Sequence, residues 1–132
     1  MKIESHLENL KESVAEIELA VKVGLTQKQR TIGFHTSAGA IDMLKTIFHS
    51  LNLIDPGFVI KHEWFNSQQN INKKFSFDFP HKLEFISLVC AIEAMRNHLC
   101  YGKRQDEKVL IAVVQNFNTL KSLFTEVTGY EL

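Results

Sequence analysis

Apolar residues three and four positions apart predict helices at both ends of this chain. Between Lys2 and Val23 they are Ile3, Leu7, Leu10, Val14, Ile17 and Val21, and from Asp106 to Thr128 they are Leu110, Val113, Phe117, Leu120, Phe124 and Val127. This spacing is typical of a helix with one buried face. Gly24 and Gly129 are stop signals, and Asp106 is a candidate N-cap.

Two further helices are predicted in the middle of the chain. The second runs from about Thr26 to Ile54 and ends at Asp55-Pro56-Gly57. Its apolar face comprises Phe34, Ala38, Ile41, Leu44, Phe48 and Leu51, widened by Ile32, Met43 and Ile47. The small residues Ser37 to Ala40 suit a close helix approach. The third helix runs from about His81 to Cys100, and its apolar positions are Leu83, Phe85, Ile86, Leu88, Cys90, Ile92 and Ala94.

The connection from Asp55 to His81 is irregular in pattern and rich in aromatic residues. Around Phe58, Ile60, Trp64 and Phe65 we expect a short packed helix, and the alternation of Phe75, Phe77 and Phe79 with polar residues suggests an extended segment. The predicted fold is all-α: an antiparallel four-helix bundle with a long, aromatic-rich connection between helices 2 and 3. Residues 1–132 are expected to form a single helical domain.

Charge and cysteine content narrow the function classes. Fifteen basic and fifteen acidic residues give zero formal net charge, which argues against a strong non-specific nucleic-acid binder but allows a local basic patch. Cys90 and Cys100 lie ten residues apart on one predicted helix, about 15 Å, too far to bridge. The first residues lack an apolar signal core, and no apolar run approaches about 18 residues. We expect a cytoplasmic protein without a membrane segment.

Metal and covalent chemistry find little support in the sequence. No two of the six histidines have the i, i+4 spacing of a helical metal site. His35, Asp42 and His49 follow each other at seven-residue intervals, too far apart for one zinc ion, and suggest a polar stripe at a surface or dimer interface. No nucleophile or phosphate-loop motif is present, and the cysteines occupy apolar surroundings where a thiol stays protonated. We predict no metal and no cofactor.

The pair Arg96-Asn97 interrupts the apolar third helix and is the best candidate for a functional site. A guanidinium beside a buried face needs a partner, because an uncompensated buried charge costs several kcal/mol. A local ion pair with Glu93, three residues earlier, is one explanation. An anionic ligand or a second subunit is the other.

A four-helix domain with Arg-Asn near the end of its third helix resembles the HEPN family of small helical proteins. The segment from Arg30 to Leu44 is also similar to that family's second helix. The resemblance implies a dimer in which Arg and His residues of two subunits meet in a cleft, either as a metal-independent ribonuclease or as a nucleotide-binding partner. If the family's roles apply to the matching positions of this sequence, Arg96 would hold a phosphate and Asn97 would hydrogen-bond in the same cleft.

The chain departs from the family pattern at the histidine, which usually follows the Arg after four to six residues. Tyr101, Gly102 and Lys103 stand at those three positions, with Tyr101 as the nearest polar substitute. His98 lies only two residues after Arg96, about 200° around a helix. Lys103 and Arg104 would add positive charge at the mouth of the cleft, or form a solvated turn. Binding is therefore favoured over turnover.

Three functions follow as hypotheses. The leading one is a homodimeric HEPN-like module that binds RNA or a nucleotide phosphate through Arg96, Asn97, His98, Lys103 and Arg104, with Tyr101 in place of the family His arguing against cleavage. The alternative is a toxin-like, metal-independent endoribonuclease using Arg96 with Tyr101 or His98. The third is a structural bundle that docks another protein through Trp64 and Phe65. The resemblance also suggests a protein partner such as a nucleotidyltransferase.

Overall fold

The computed structural model describes residues 2–55 and 57–132, and every regular element in these ranges is helical. The elements are α1 (Ile3–Val23), α2 (Gln29–Ser50), a 3-10 helix (His62–Asn66), α3 (Gln68–Lys74), α4 (Lys82–Tyr101) and α5 (Glu107–Thr128). The all-α prediction is confirmed. Asp106 caps α5 by accepting a hydrogen bond from the Lys108 N–H at 3.1 Å, and Gly129 ends the helix in the left-handed region at φ 79°.

The second helix is shorter than predicted, because it ends at Ser50 rather than near Ile54. Asn52 adopts a left-handed conformation with φ 56°. The Leu53 N–H then bonds the Phe48 carbonyl at 2.8 Å, and the Asn52 N–H bonds the His49 carbonyl at 3.1 Å. This pair of bonds is the Schellman arrangement, with Asn in the place usually held by Gly. Of the predicted stop signal, Pro56 lies outside the described residues.

Helix α2 is the central element and packs against α1, α4 and α5. Two glycines permit this crowding. A Cβ added at Gly33 would lie 2.6 Å from the Leu99 Cβ of α4, and one at Gly39 would lie 2.8 Å from the Phe117 ring of α5. The close helix approach expected at Ser37 to Ala40 is thus observed at Gly39.

Several predicted core positions are wrong. Phe34 is 53% exposed and Leu83 is 83% exposed, while Val21 and Leu51 are also exposed. In α1 the buried face instead includes His6, Ser13 and Ala20. In α1 the cause is the helical repeat of 3.6 residues, which moves a strict seven-residue pattern around the helix by about 20° every two turns.

The aromatic connection folds onto the helices. Trp64 and Phe65 lie in the expected short helical segment, which is the 3-10 helix, but α3 was not predicted. The segment containing Phe75, Phe77 and Phe79 lies outside any helix and pairs with no strand among the described residues. Its three rings surround Phe48 at centroid distances of 4.9 to 5.4 Å. The Lys82 ammonium donates to the Phe75 and Phe77 carbonyls at 2.7 and 2.6 Å. None of the helices in the described ranges is long and apolar enough to cross a membrane.

Candidate functional site

Arg96 and Asn97 line a cavity of about 230 Å³, which we call the arginine cavity. Its lining residues are His62, Glu63, Asn66, Glu93, Arg96 and Asn97. Glu93, Arg96 and Asn97 are three and four positions apart and therefore share one face of α4. The 3-10 helix packs against α4 and supplies the other residues. The cavity therefore joins the predicted Arg-Asn pair to the aromatic connection.

Glu93 does not form the local ion pair with Arg96 that its spacing suggested. Its carboxylate instead accepts a hydrogen bond from the Ser37 hydroxyl at 2.6 Å and contacts the His62 Nδ1 at 3.0 Å. Only 4% of the Glu93 side chain is exposed. Within residues 2–55 and 57–132, the Arg96 guanidinium has no ion-pair partner, and its one hydrogen bond is a long contact of 3.4 Å to the Asn97 side chain.

His62 is the functional candidate that the sequence analysis missed. Because the Glu93 carboxylate accepts hydrogen bonds, it favours the tautomer in which His62 Nδ1 carries the proton. The imidazole is 41% exposed, and its Nε2 makes no hydrogen bond in the described part of the chain. A neutral His62 thus offers a free basic nitrogen at the cavity that holds Arg96. Its sequence neighbours carried no motif, so only the tertiary contact reveals it.

Ser37, His62 and Glu93 do not form a hydrolase triad. In such a triad the histidine contacts the nucleophile and the carboxylate through different ring nitrogens. Here the Ser37 hydroxyl, 3.1 Å away, and the Glu93 carboxylate both approach Nδ1. Ser37 is also fully buried, out of reach of a substrate. The cluster therefore orients His62 rather than activating a serine.

Tyr101 lies in a second cavity, of about 320 Å³, which we call the aromatic cavity. Its lining residues are Arg30, Thr31, Phe34, His35, Cys100 and Tyr101. Tyr101 is 73% exposed and lines this cavity rather than the arginine cavity. The structure therefore does not bring it together with Arg96 as a catalytic partner. His98 is exposed and lines neither of these two cavities.

Lys103 and Arg104 are exposed residues of the connection between α4 and α5. This connection is held against the start of α2 by Gln29, another residue that the sequence analysis did not identify. The buried Gln29 amide donates to the Lys103 carbonyl at 3.0 Å and accepts from the Gln105 N–H at 2.7 Å. Both basic residues are thereby kept close to the α2 turn that carries Arg30.

Cys100 lines the aromatic cavity, and charged residues of both cavities act on its thiol. Burial raises the pKa of the Cys100 thiol, the Arg96 and Arg30 guanidiniums act in the opposite direction, and the Glu93 carboxylate adds to the rise. Burial likewise raises the pKa of Cys90, so both free thiols stay protonated at neutral pH, as expected. Arg96 and Arg30 therefore lie close enough to act on one group, although they line different cavities.

A separate polar cluster occupies the contact between α1 and α2. His6 is 2% exposed, stacks on His49 at a ring distance of 5.3 Å, and has its Nδ1 3.9 Å from the Asp42 carboxylate. Asp42 and His49 are therefore packed against α1, while His35 contacts Ser13 at 3.0 Å. Asp42 and His49 are thus partly buried at the α1–α2 contact, while His35 also lines the aromatic cavity; a role of these residues at a dimer interface stays a prediction. The described residues contain no group of three or more side chains suited to hold a metal ion.

Comparison with protein families, curated proteins and solved structures finds no match to this chain. The functional argument therefore depends on the site alone. The arginine cavity offers one guanidinium without a carboxylate partner, two amides and one oriented imidazole. Such a set can bind a phosphate and transfer a proton.

Proposed function

We propose that this chain is a homodimeric HEPN-like module, an antiparallel four-helix bundle that binds RNA or a nucleotide phosphate through Arg96. The observation that carries the proposal is the engagement of Glu93 by Ser37 and His62, which leaves the Arg96 guanidinium free at a cavity. Guanidinium groups bind phosphate oxygens through two parallel hydrogen bonds. Asn97 adds an amide on the same helical face.

The charge of the arginine cavity is mixed, and this affects the expected affinity. Glu93 is compensated by its two hydrogen-bond donors, but Glu63 is exposed at the same cavity. A carboxylate there repels a phosphate and weakens its binding. We therefore propose that the cavity binds a phosphate with moderate, salt-sensitive affinity and does not bind nucleic acid tightly and non-specifically.

The binding proposal is tested by fluorescence anisotropy with a short, labelled single-stranded oligoribonucleotide at low salt. Arg96→Ala should weaken binding about tenfold or more, since a charged hydrogen bond contributes roughly 1.5–3 kcal/mol. Glu63→Gln is the matched control and should strengthen binding. Light scattering on the same preparation should give a dimer, twice the chain mass of 15.2 kDa. No affinity in the wild type, or equal affinity in Arg96→Ala, would contradict the proposal.

A second candidate function, metal-independent RNA cleavage, is favoured by the orientation of His62. The His62 Nε2 would accept the proton of a ribose 2′-hydroxyl as the 2′-oxygen forms a bond to phosphorus and the bond to the 5′-oxygen breaks. The leaving 5′-oxygen would take a proton from solvent water. Arg96 would stabilise the negative charge on the non-bridging phosphate oxygens, and Glu93 the imidazolium. The products would be a 2′,3′-cyclic phosphate and a 5′-hydroxyl.

Cleavage is tested with labelled RNA in the presence of EDTA. His62→Gln should reduce the rate about a hundredfold or more, which is the usual contribution of a positioned base. His98→Gln is the matched control: it removes an exposed histidine of α4 that lines neither cavity and should leave the rate unchanged. Equal rates in the wild type and Arg96→Ala would exclude cleavage at this site without affecting the binding proposal.

A further inference from the structure

We infer that the aromatic cavity is a nucleobase subsite, in which an unpaired base of single-stranded RNA stacks on Phe34 and Tyr101. This inference rests on the proposed function, because it names the substrate that Arg96 would hold by its phosphate. The cavity of about 320 Å³ lies at the small end of ligand sites, which span roughly 300–1,000 Å³. That volume suits a single nucleobase.

Both aromatic rings are available to a ligand. Phe34 and Tyr101 are 53% and 73% exposed, although aromatic side chains ordinarily contribute to a core. They reach the cavity from two helices, Phe34 from α2 and Tyr101 from α4. The close crossing of these helices at Gly33, where a side chain would collide with Leu99, brings the two residues to one cavity. Exposed aromatic rings are the usual stacking partners of unpaired bases.

The electrostatics of the cavity favour a nucleic acid. Arg30 contributes a positive charge, and no acidic residue lines the cavity. Lys103 and Arg104 project from the connection that Gln29 holds against the start of α2. This combination of cationic and aromatic residues is typical of surfaces that follow a single strand. A second apolar protein surface would not require these three basic groups.

Both cavities are lined by residues from the C-terminal end of α4. Arg96 and Cys100 are four positions apart on α4, about 6 Å along the helix axis. A ligand held by its phosphate at Arg96 would have to extend a base over this one turn of α4 to reach the aromatic cavity. Double-stranded RNA offers no unstacked base and does not satisfy this arrangement. The preferred ligand is consequently a single strand or an unpaired loop.

The test measures the affinity of wild type, Phe34→Ala and Tyr101→Ala for a single-stranded oligoribonucleotide and for an RNA duplex. Each variant should weaken single-strand binding about tenfold and leave duplex binding unchanged. Phe34→Trp should retain the affinity, since it keeps a stacking surface. Leu83→Ala is the matched control, because it removes an 83% exposed apolar side chain at the opposite end of α4. Circular dichroism verifies that each variant is folded.

Failure of this inference is distinguishable from failure of the proposed function. If Arg96→Ala weakens single-strand binding while both aromatic variants bind like wild type, the base subsite is wrong and the phosphate site stands. If the wild type binds no RNA, both are wrong. A loss of dimer in Phe34→Ala, with unchanged RNA affinity per chain, would assign the aromatic rings to a subunit interface and overturn the inference.

Discussion

At the scale of single residues, the site is determined by which partner Glu93 takes. On the helix surface Arg96 is within reach of Glu93, but exposed ion pairs contribute only about 0.2–1 kcal/mol. Glu93 is 96% buried as a side chain and instead accepts hydrogen bonds from Ser37 and His62, which satisfy its carboxylate inside the protein. One buried carboxylate therefore both orients His62 and leaves Arg96 available.

His6 is buried and Asp42 is partly buried, and burial favours the uncharged form of each. Burial and the charge of Lys45 lower the pKa of His6 from 6.5 to about 4. Burial raises the pKa of Asp42 from 3.8 to about 6, against an opposing effect of Lys45. Both His6 ring nitrogens lack a hydrogen-bond partner among the described residues. Between about pH 4 and 6 the two groups are therefore adjacent and neutral.

The raised pKa of Asp42 and the lowered pKa of His6 should change the free energy of unfolding with pH in opposite directions. The raised pKa of Asp42 contributes stability below pH 3.8 that is lost as the pH rises through 6. The lowered pKa of His6 contributes stability above pH 6.5 that is lost as the pH falls towards 4. The two effects oppose each other in the wild type. In Asp42→Asn, the free energy of unfolding should rise by about 3 kcal/mol from pH 4 to 6.5.

His6→Leu is the complementary variant and should show the reverse slope, because the Asp42 contribution then exceeds the smaller opposing contribution of His49. Urea unfolding at a series of pH values measures the slope of the unfolding free energy against pH in both variants. His49, whose pKa is also lowered by burial, is present in each variant and adds the same slope. Slopes of equal sign in the two variants would show that the assignment of these shifts is wrong.

At the scale of elements, the sequence predicts those helices whose ends are determined by local residue patterns. The spacing of apolar residues, together with the Asp106 cap and Gly129, places α1 and α5 within one residue of their observed ends. The end of α2 is missed, since Asn52 acts where a glycine is expected. The 3-10 helix and α3 are short and stabilised by contacts with other elements, and such contacts leave little periodicity in the sequence.

Some residues of the candidate site can be recognised from the sequence, and others only from the tertiary structure. Arg96 and Asn97 are recognisable because a polar pair interrupts an apolar helix. His62 and Arg30 come from the connection and from α2, and each reaches its cavity through packing between segments distant in sequence. Exposure of Phe34 has the same origin: α2 is covered by three helices, yet this position falls on its remaining open face. Periodicity alone cannot predict which face stays open.

At the scale of the whole molecule, the aromatic connection and the long helices share one hydrophobic core. Phe65, Phe75 and Phe79 belong to the same buried cluster as Leu10 of α1 and Phe124 of α5. The aromatic side chains of the connection therefore mainly stabilise this chain, and Phe65 is 2% exposed. Docking of a partner through Phe65, one of the hypotheses from the sequence, would require that side chain to leave the core.

Because the core is continuous, the connection should unfold together with the helices. Trp64 is the single tryptophan and packs against Phe75 at a ring distance of 6.0 Å, so its fluorescence reports the connection, while far-UV circular dichroism reports mainly the long helices. The two signals should give coincident urea transitions. Phe75→Ala should shift both to lower urea by a loss of about 3–5 kcal/mol, since Phe75 is fully buried against Phe48. A tryptophan transition that precedes the helical one would instead identify the connection as a separately unfolding unit, able to open the arginine cavity by withdrawing His62.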